Sequence, residues 1–206
     1  REQLKNEIDT LRDLVSLAQD LEAKGAERKL EELRELLKGQ QEDTPFGRDE
    51  KMVIFTEAKD TLDLLTENLE AWGYEYVTIH GGMEMGQAKD PNEGTRLWAE
   101  EQFNDSEGPQ ILVATDAAGE GINLHKECRL MVNYDIPWNP TRLEQRMGRI
   151  HRYGQEDPVH IYNLVASNTR EGYVLEKLSM KLEKMKEDIG SDRVFDIISE
   201  LSQEVS

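Results

Sequence analysis

ILVATDAAGEGINL, residues 111–124, is the stretch whose reading decides the fold. Ile111, Leu112, Val113 and Ala114 make a short apolar run suited to a parallel strand buried on both faces. The run stops at Thr115 and Asp116, and two alanines, Gly119 and Gly121 follow. Small residues after a buried strand let the backbone come close to a ligand. A Gly-rich loop taken alone is more commonly a plain tight turn, so its position at a strand end carries the inference.

The same texture recurs on both sides. Met52–Phe55, Tyr76–Ile79, Leu130–Tyr134 and Val159–Val165 read as four further strands. Thr56 is expected to cap a helix bearing Leu62, Leu65, Leu69 and Trp72, closed by Gly73. Residues 83–94 read as a loop, followed by a helix over Thr95–Phe103. Asn139 followed by Pro140 reads as an N-cap with proline in the first turn, which predicts a helix over Thr141–Arg152. Alternating strands and helices mean an α/β fold, a parallel sheet sandwiched by helices. Ligands of such sheets sit beyond the carboxyl ends of the strands. Those ends carry Thr56, His80-Gly81-Gly82, Thr115-Asp116 and the segment Asp135–Asn139, which together form a candidate site edge.

The flanks differ. Leucine stripes over residues 3–38 predict a helical hairpin, with Gly25 as its break and Gly39 as its end. Residues 41–50 read as a linker. Beyond the α/β region, residues 167–206 read as a helical extension: one long helix over Thr169–Asp188, then a second capped by Ser191. The expected organisation is therefore 1–40, 41–50, 51–166 and 167–206.

Of the 206 residues 37% are hydrophobic and 33% charged, which suits a soluble folded chain. No apolar run approaches the about 18 residues of a membrane-spanning helix. The charged N-terminus lacks a signal-peptide core. The single cysteine, Cys128, excludes an internal disulfide framework and suits a reducing cytoplasm; on an apolar strand it reads as core. A net charge of −18 argues against a generic nucleic-acid coat protein.

One stretch reverses that charge. Thr141–Gln155, TRLEQRMGRIHRYGQ, carries Arg142, Arg146, Arg149 and Arg152 with Glu144 as its only acid. On a continuous helix these four fall within one broad face, and a bound polyanion is the expected compensation. Arginines stabilise charge developing on a transferring phosphate and do not themselves hydrolyse it. The remaining machinery is missing from the sequence. There is no G-x-x-x-x-G-K-[ST] phosphate loop, no run of acids after a strand to hold Mg²⁺, and no metal-spaced Cys/His cluster. The residues describe half a site, with charge stabilisers and no nucleotide cradle.

At this point the chain resembles a known family. Residues 51–166 are similar to the second RecA-like domain, the C-terminal helicase domain, of superfamily 2 motors. The resemblance is closest to the SNF2-type branch, which includes the bacterial RNA-polymerase-associated translocase and related archaeal and bacterial helicase-like ATPases. KMVIFT (51–56) resembles motif IV, YVTIHGGM (76–83) motif IVa, and ILVATDAAGEGINL motif V. NYDIPWNP (133–140) resembles the strand that follows, and QRMGRIHRYGQ (145–155) resembles motif VI with its Gly-Gln ending. Five motifs in order over somewhat more than half the chain are specific. The helix containing SDRVFDII (191–198) is similar to that branch less decisively.

The resemblance implies roles. Arg149 and Arg152 correspond to arginine fingers that reach the γ-phosphate of ATP held by a first RecA-like domain. Gln145, Glu120, Gly121 and Asn123 correspond to the nucleotide cleft. Thr56, His80, Gly81 and Thr115 lie where related motors hold the phosphates of one nucleic-acid strand, a contact that is sequence-independent and salt-sensitive. Arg142 and Arg146 are expected to be surface or salt-bridge residues, and His151 and Trp138 to pack. The cofactors implied are ATP and Mg²⁺, with the Mg²⁺ ligands on the first motor domain. The chain is expected to be the C-terminal piece of a longer protein, inactive alone, with residues 1–40 connecting to that domain in cis. The track implied is nucleic acid, favouring double-stranded DNA. A non-catalytic RecA-like adaptor and an RNA-directed helicase are the alternatives. The eleven residues from Glu84 to Gly94 depart from the family pattern, in which a helix soon follows the glycine turn.

Overall fold

A computed structural model of the chain describes residues 12, 25–39, 50–86, 94–116, 124, 128–137, 140–150 and 159–165. The chain divides into two compact units, Arg1–Thr44 and Pro45–Ser206. In the first, residues 25–37 form helix α1, which buries Leu33, Leu36 and Leu37. Gly39 ends it as expected, at a left-handed φ of 63° that a glycine adopts without strain. Gly25, the expected break between the two helices, is the first described residue of α1 and is itself helical. The first helix of the expected hairpin, apart from Arg12, and the helical extension beyond residue 165 lie outside the described residues.

The second unit is a five-stranded, all-parallel sheet with order β2-β3-β1-β4-β5. Its strands are β1 (Lys51–Thr56), β2 (Tyr76–Ile79), β3 (Ile111–Thr115), β4 (Cys128–Asn133) and β5 (His160–Asn163). Every residue of β1 and β3 is buried, as strands inside a sheet covered on both faces must be. The edge strand β2 buries only Val77 and Ile79, one face of its alternation. This is the α/β sandwich expected of a RecA-like domain. Strand β4 begins two residues before the apolar run suggests. Cys128 pairs with Lys51 across a register irregularity, and burial pushes its thiol up to about 12, so it is an inert core residue.

Helix α2 (Lys59–Trp72) turns Leu62, Leu65 and Leu69 to the core. Gly73 closes it in the left-handed region at φ 81°, donating its N–H to the Glu70 carbonyl. Its N-cap is Ala58, without a side-chain bond. The expectation that Thr56 caps this helix is wrong: Thr56 ends β1, and its hydroxyl donates to a carboxylate oxygen of Asp135. Helix α3 (Arg96–Asn104) is capped by Thr95, whose hydroxyl accepts from the Trp98 N–H at 3.3 Å.

Helix α4 (Pro140–Met147) is shorter than the Thr141–Arg152 helix expected from the pattern. Gly148, a poor helix former, follows it. The chain then tightens into turns, with the Arg149 N–H on the Arg146 carbonyl at 3.0 Å and the Ile150 N–H on the Met147 carbonyl at 3.2 Å. The core between sheet and helices gathers Phe55, Ile79, Phe103, Leu112, Met131 and Ile150. No helix among the described residues is long and apolar enough to cross a membrane.

Lys51 shows how closely the sheet is fitted to its connections. Its ammonium is buried, lies 5.3 Å from the Phe103 ring centroid, and donates to the carbonyls of Asp105, Gly108 and Pro109. Those carbonyls belong to the turn between α3 and β3, at Gly108 folded so tightly that an added Cβ would stand 2.0 Å from the Gln102 carbonyl oxygen. Gly108→Ala is therefore expected to destabilise the protein by about 1–3 kcal/mol, the usual cost of overpacking. An unchanged urea midpoint would show that the turn yields freely.

Candidate functional site

The carboxyl ends of the strands meet at one side chain, that of Arg146 on α4. It is 2% exposed, and each of its five N–H groups has an acceptor. Its Nε and Nη2 grip the two Asp116 oxygens at 2.5 and 3.0 Å. Its Nη1 donates to Asn133 Oδ1 at 3.0 Å and to the Asp135 carbonyl at 2.8 Å, and Nη2 also reaches Asp135 Oδ1 at 3.3 Å. The guanidinium lies 5.5 Å from the Phe55 ring centroid.

The network extends further. The Asp135 carboxylate accepts from the Thr56 hydroxyl at 2.5 Å and from the Glu57 N–H at 2.9 Å. Asn133 donates to Asn163 at 2.8 Å. Strands β1, β3, β4 and β5 are thereby fastened at one edge by a residue from a helix. Glu57 stands beside this charge. Burial first, then the Asp135 and Asp116 carboxylates, raise its pKa above the ordinary glutamate value. Arg142 approaches Glu57 at 3.4 Å but is 53% exposed, so that pair contributes little.

The three described arginines, Arg142, Arg146 and Arg149, thus differ in setting, and the expectation that a bound polyanion compensates the whole group is corrected for Arg146. Arg142 is exposed, and Arg146 is buried and compensated by Asp116 and Asp135. Arg149 lies in the turn after the helix, half-buried, and no described residue hydrogen-bonds its guanidinium. Its carbonyl accepts from the Leu124 N–H at 3.1 Å, which ties this turn to the end of the Gly-rich loop. Gln145 is exposed on α4. Of the other residues expected at a nucleotide cleft, Glu120, Gly121, Asn123 and Arg152 lie outside the described residues, as do His151 and Trp138.

A second row forms along the same edge. Thr56 pairs in register with Thr115, and Ile79 pairs with Ala114, so His80 stands level with Thr115 at the end of the next strand. The sheet order thus aligns His80, Thr115 and Thr56, which are far apart in sequence. Thr115 is 3% exposed, and its hydroxyl has no hydrogen-bond partner among the described residues. Thr56 is fully buried, with its one O–H donated to Asp135.

The His80 turn is held from within and from α3. His80 Nδ1 accepts from the Gly82 N–H at 3.2 Å, and the Met83 N–H donates to the His80 carbonyl at 3.0 Å. Partial burial, then the Lys59 charge, lower the imidazole pKa and favour the neutral ring that this bond requires. Arg96 donates to the Gly81 and Met83 carbonyls, both at 3.2 Å. The Arg96 and Leu97 N–H groups bond the Glu84 and Met85 carbonyls at 2.9 and 3.1 Å. The inserted residues therefore do not detach the helix from the glycine turn.

Sequence reasoning missed Arg96 and the set Asp116, Asn133, Asp135 and Arg146 as a unit. One signal for Arg96 was available: it stands in the first turn of a helix, where the macrodipole disfavours a cation, so a local partner is needed. For the buried network the signals were an acid just beyond each of two apolar strands and an arginine in an acid-poor helix. Among the described residues no group of acids, histidines or cysteines is arranged to hold a metal ion.

Comparison with known proteins places this geometry. A family model described as helicase conserved C-terminal domain matches residues 28–154. An uncharacterized ATP-dependent helicase of Bacillus subtilis (strain 168), YqhH, is 44% identical over 142 residues, 69% of this chain and 24% of that protein. Helicase SWR1 of Debaryomyces hansenii is 34% identical over 64% of this chain and 8% of its own length. The human SWI/SNF-related matrix-associated actin-dependent regulator of chromatin subfamily A member 1 is 34% identical over 64% of this chain and 12% of its own. Among solved structures, the C-terminal part of the Fun30 ATPase domain superimposes with a TM-score of 0.54 at 26% identity, covering 71% of this chain and 42% of that one. The chain therefore spans a quarter or less of the curated relatives named here.

Removing the central guanidinium strands two carboxylates. Arg146→Met is expected to cost about 3–5 kcal/mol of stability, measured by urea unfolding, as for a broken buried ion pair; a loss below 1 kcal/mol would mean that water reaches Asp116 and Asp135 freely. Glu57 behaves oppositely. Its raised pKa means that the folded chain prefers the protonated acid, so stability present below the unfolded pKa is lost as pH rises through the folded one. Glu57→Gln should raise the Tm at pH 7, and the gain should vanish by about pH 4, below the unfolded glutamate pKa. A Tm that falls at pH 7 would show the Arg142 pair outweighing the repulsion.

Proposed function

The chain belongs to the helicase conserved C-terminal domain family, in its SNF2-type branch, and from that membership we propose that it is the second motor domain of an ATP-dependent nucleic-acid translocase. In this reading Arg149 and Arg152 are its arginine fingers, and the phosphate loop and Mg²⁺ ligands come from a first RecA-like domain in cis. One observation carries the reading. Of the motif VI arginines described, Arg146 has every N–H committed inside the fold, while Arg149 is half-buried in the turn after α4 and its guanidinium has no described partner. A cation held partly out of water is what a transferring phosphoryl group needs as charge develops.

ATP, when bound, supplies the phosphoryl group and is held across the cleft between the two motor domains. This chain's part is to fix the finger turn. The Arg146 carbonyl and the Leu124 N–H hold the Arg149 backbone from either side. Gln145, Glu120, Gly121 and Asn123 line the same cleft in this proposal. The row His80, Gly81, Thr115 and Thr56 meets the phosphates of one strand of the track, for which double-stranded DNA is favoured. Thr115 supports this with a buried hydroxyl awaiting a partner. Thr56 can meet a phosphate through its O–H only by releasing Asp135. A cytoplasmic protein is the accompanying proposal.

The test uses the intact protein with and without nucleic acid. Arg149→Ala and Arg152→Ala should each lower stimulated ATP turnover by about a thousandfold or more. Full turnover in both variants would sink the finger assignment. The 206-residue chain by itself should hydrolyse no ATP; turnover by a clean preparation would mean that its own residues form a nucleotide cradle. Stimulation by RNA and not by DNA would reassign the track.

A further inference from the structure

The two threonines of the strand-end row are each followed by an acid. Thr56 precedes Glu57, Thr115 precedes Asp116, and the threonines are paired in register. One exposed guanidinium spans those acids. Arg142 Nη1 donates to Glu57 Oε1 at 3.4 Å and stands 3.9 Å from Asp116 Oδ2. The pairing is poor. Both Asp116 oxygens are already gripped by Arg146, and the other four N–H groups of Arg142 have no acceptor among the described residues. Charge is also unbalanced here. Glu57, Asp116 and Asp135 face Arg146 and Arg142, three carboxylates against two guanidiniums. Burial, then the two aspartates, raise the Glu57 pKa, so its charge is held against its surroundings.

We propose that Arg142 is a further phosphate-binding residue of this edge, and that Glu57 holds its guanidinium in reserve. The inference rests on the motor reading above and goes beyond it, by adding a cation to a row that lacks one and naming the acid that competes for it. Thr56, Gly81 and Thr115 carry no charge, and His80 favours its neutral ring. Arg146 has no donor to spare, since five acceptors occupy its five N–H groups. Two phosphates reach this edge in the motor reading, the track's and the nucleotide's. Both present the same oxyanion to a guanidinium, and they are told apart by which affinity a variant changes.

The exchange is favoured because Arg142 has little to lose. Its side chain is 53% exposed, and an ion pair so far in water is weak. A phosphate offers oxygens spaced to meet two parallel N–H groups, which the single long contact to Glu57 does not. The helix need not move for this. Arg142 lies in the first turn of α4, and Arg146 pins the last turn to Asp116, Asn133 and Asp135. Reorientation is then confined to the Arg142 side chain. Its departure leaves Glu57 beside two aspartates with Arg146 as the remaining described guanidinium, so the side chain returns when the phosphate leaves. Glu57 thus acts on Arg142 as an internal competitor, occupying one N–H without satisfying the rest.

The experiment is done on the intact protein. Binding of a double-stranded DNA oligonucleotide is followed by fluorescence anisotropy over a range of salt, alongside the KM for ATP. Arg142→Gln should weaken one of the two about tenfold, as for a lost hydrogen bond to a charged group. For a track phosphate the DNA Kd rises, the salt slope falls by about 1, and Arg142→Lys keeps the slope. For a nucleotide phosphate the ATP KM rises and the DNA Kd stays. Glu57→Gln should tighten the affected affinity by up to about fivefold, the worth of an exposed ion pair. That gain should vanish when Arg142→Gln is also present. A gain that persists in the double variant means that Glu57 only repels phosphate, and the reserve is overturned. If DNA stimulates ATP turnover but Arg142→Gln leaves DNA Kd, salt slope and ATP KM unchanged, the role of Arg142 is overturned and the motor reading stands. A wild-type protein without nucleic-acid-stimulated hydrolysis overturns both readings.

Discussion

A guanidinium has five N–H groups and a charge that cannot be abandoned in a protein interior. Arg146 satisfies both demands with Asp116, Asn133 and Asp135, and the carboxyl edge of this domain depends on that arrangement. Parallel strands pair along their length, but nothing in their ladders aligns the residues just past their ends. Here that alignment is made by one helix side chain. It binds the residue after β3, the last residue of β4 and the segment beyond it, and through Asp135 the end of β1. An apolar residue of similar volume would pack there and leave the two carboxylates repelling each other. The ion pair is therefore better understood as fixing geometry than as adding net stability.

The edge so fixed serves two directions. Toward β2 it presents His80, Thr115 and Thr56 at one level, because the order β2-β3-β1 makes neighbours of strands separated by many residues in the chain. Toward α4 it anchors the end of that helix through Arg146, and the turn with Arg149 follows. The His80 turn has its own brace in Arg96, which offsets the poor placement of a cation at a helix N-terminus by bonding two carbonyls of the turn. The glycines there leave little side chain between backbone and solvent, which suits the phosphate contact proposed for this row. Acidity elsewhere on the chain is compatible with this, because the potential at a cleft is set by the few charges that line it.

Much was legible in the order of residues. Five apolar runs separated by amphipathic segments dictate a parallel α/β sheet, because a short strand buried on both faces needs helices to cover it. Gly73 and Gly39 marked helix ends, since each occupies a left-handed conformation that other residues avoid. The motif order from KMVIFT to QRMGRIHRYGQ marked the family. These properties are local or periodic, and a chain carries them before it folds. Pairing across the fold was not legible. The four arginines of Thr141–Gln155 look alike in sequence, yet one is buried, one is exposed and one sits in a turn. Thr56 looked like a helix cap because its partner, Asp135, lies 79 residues away. The sequence alone determined which segments are strands, which end of each carries polar groups, and the family to which they belong. Only the tertiary structure decided which arginine those groups neutralise and which has no described partner. Burial and charge pairing depend on which strands become neighbours, and that is settled by the sheet order and not by spacing along the chain.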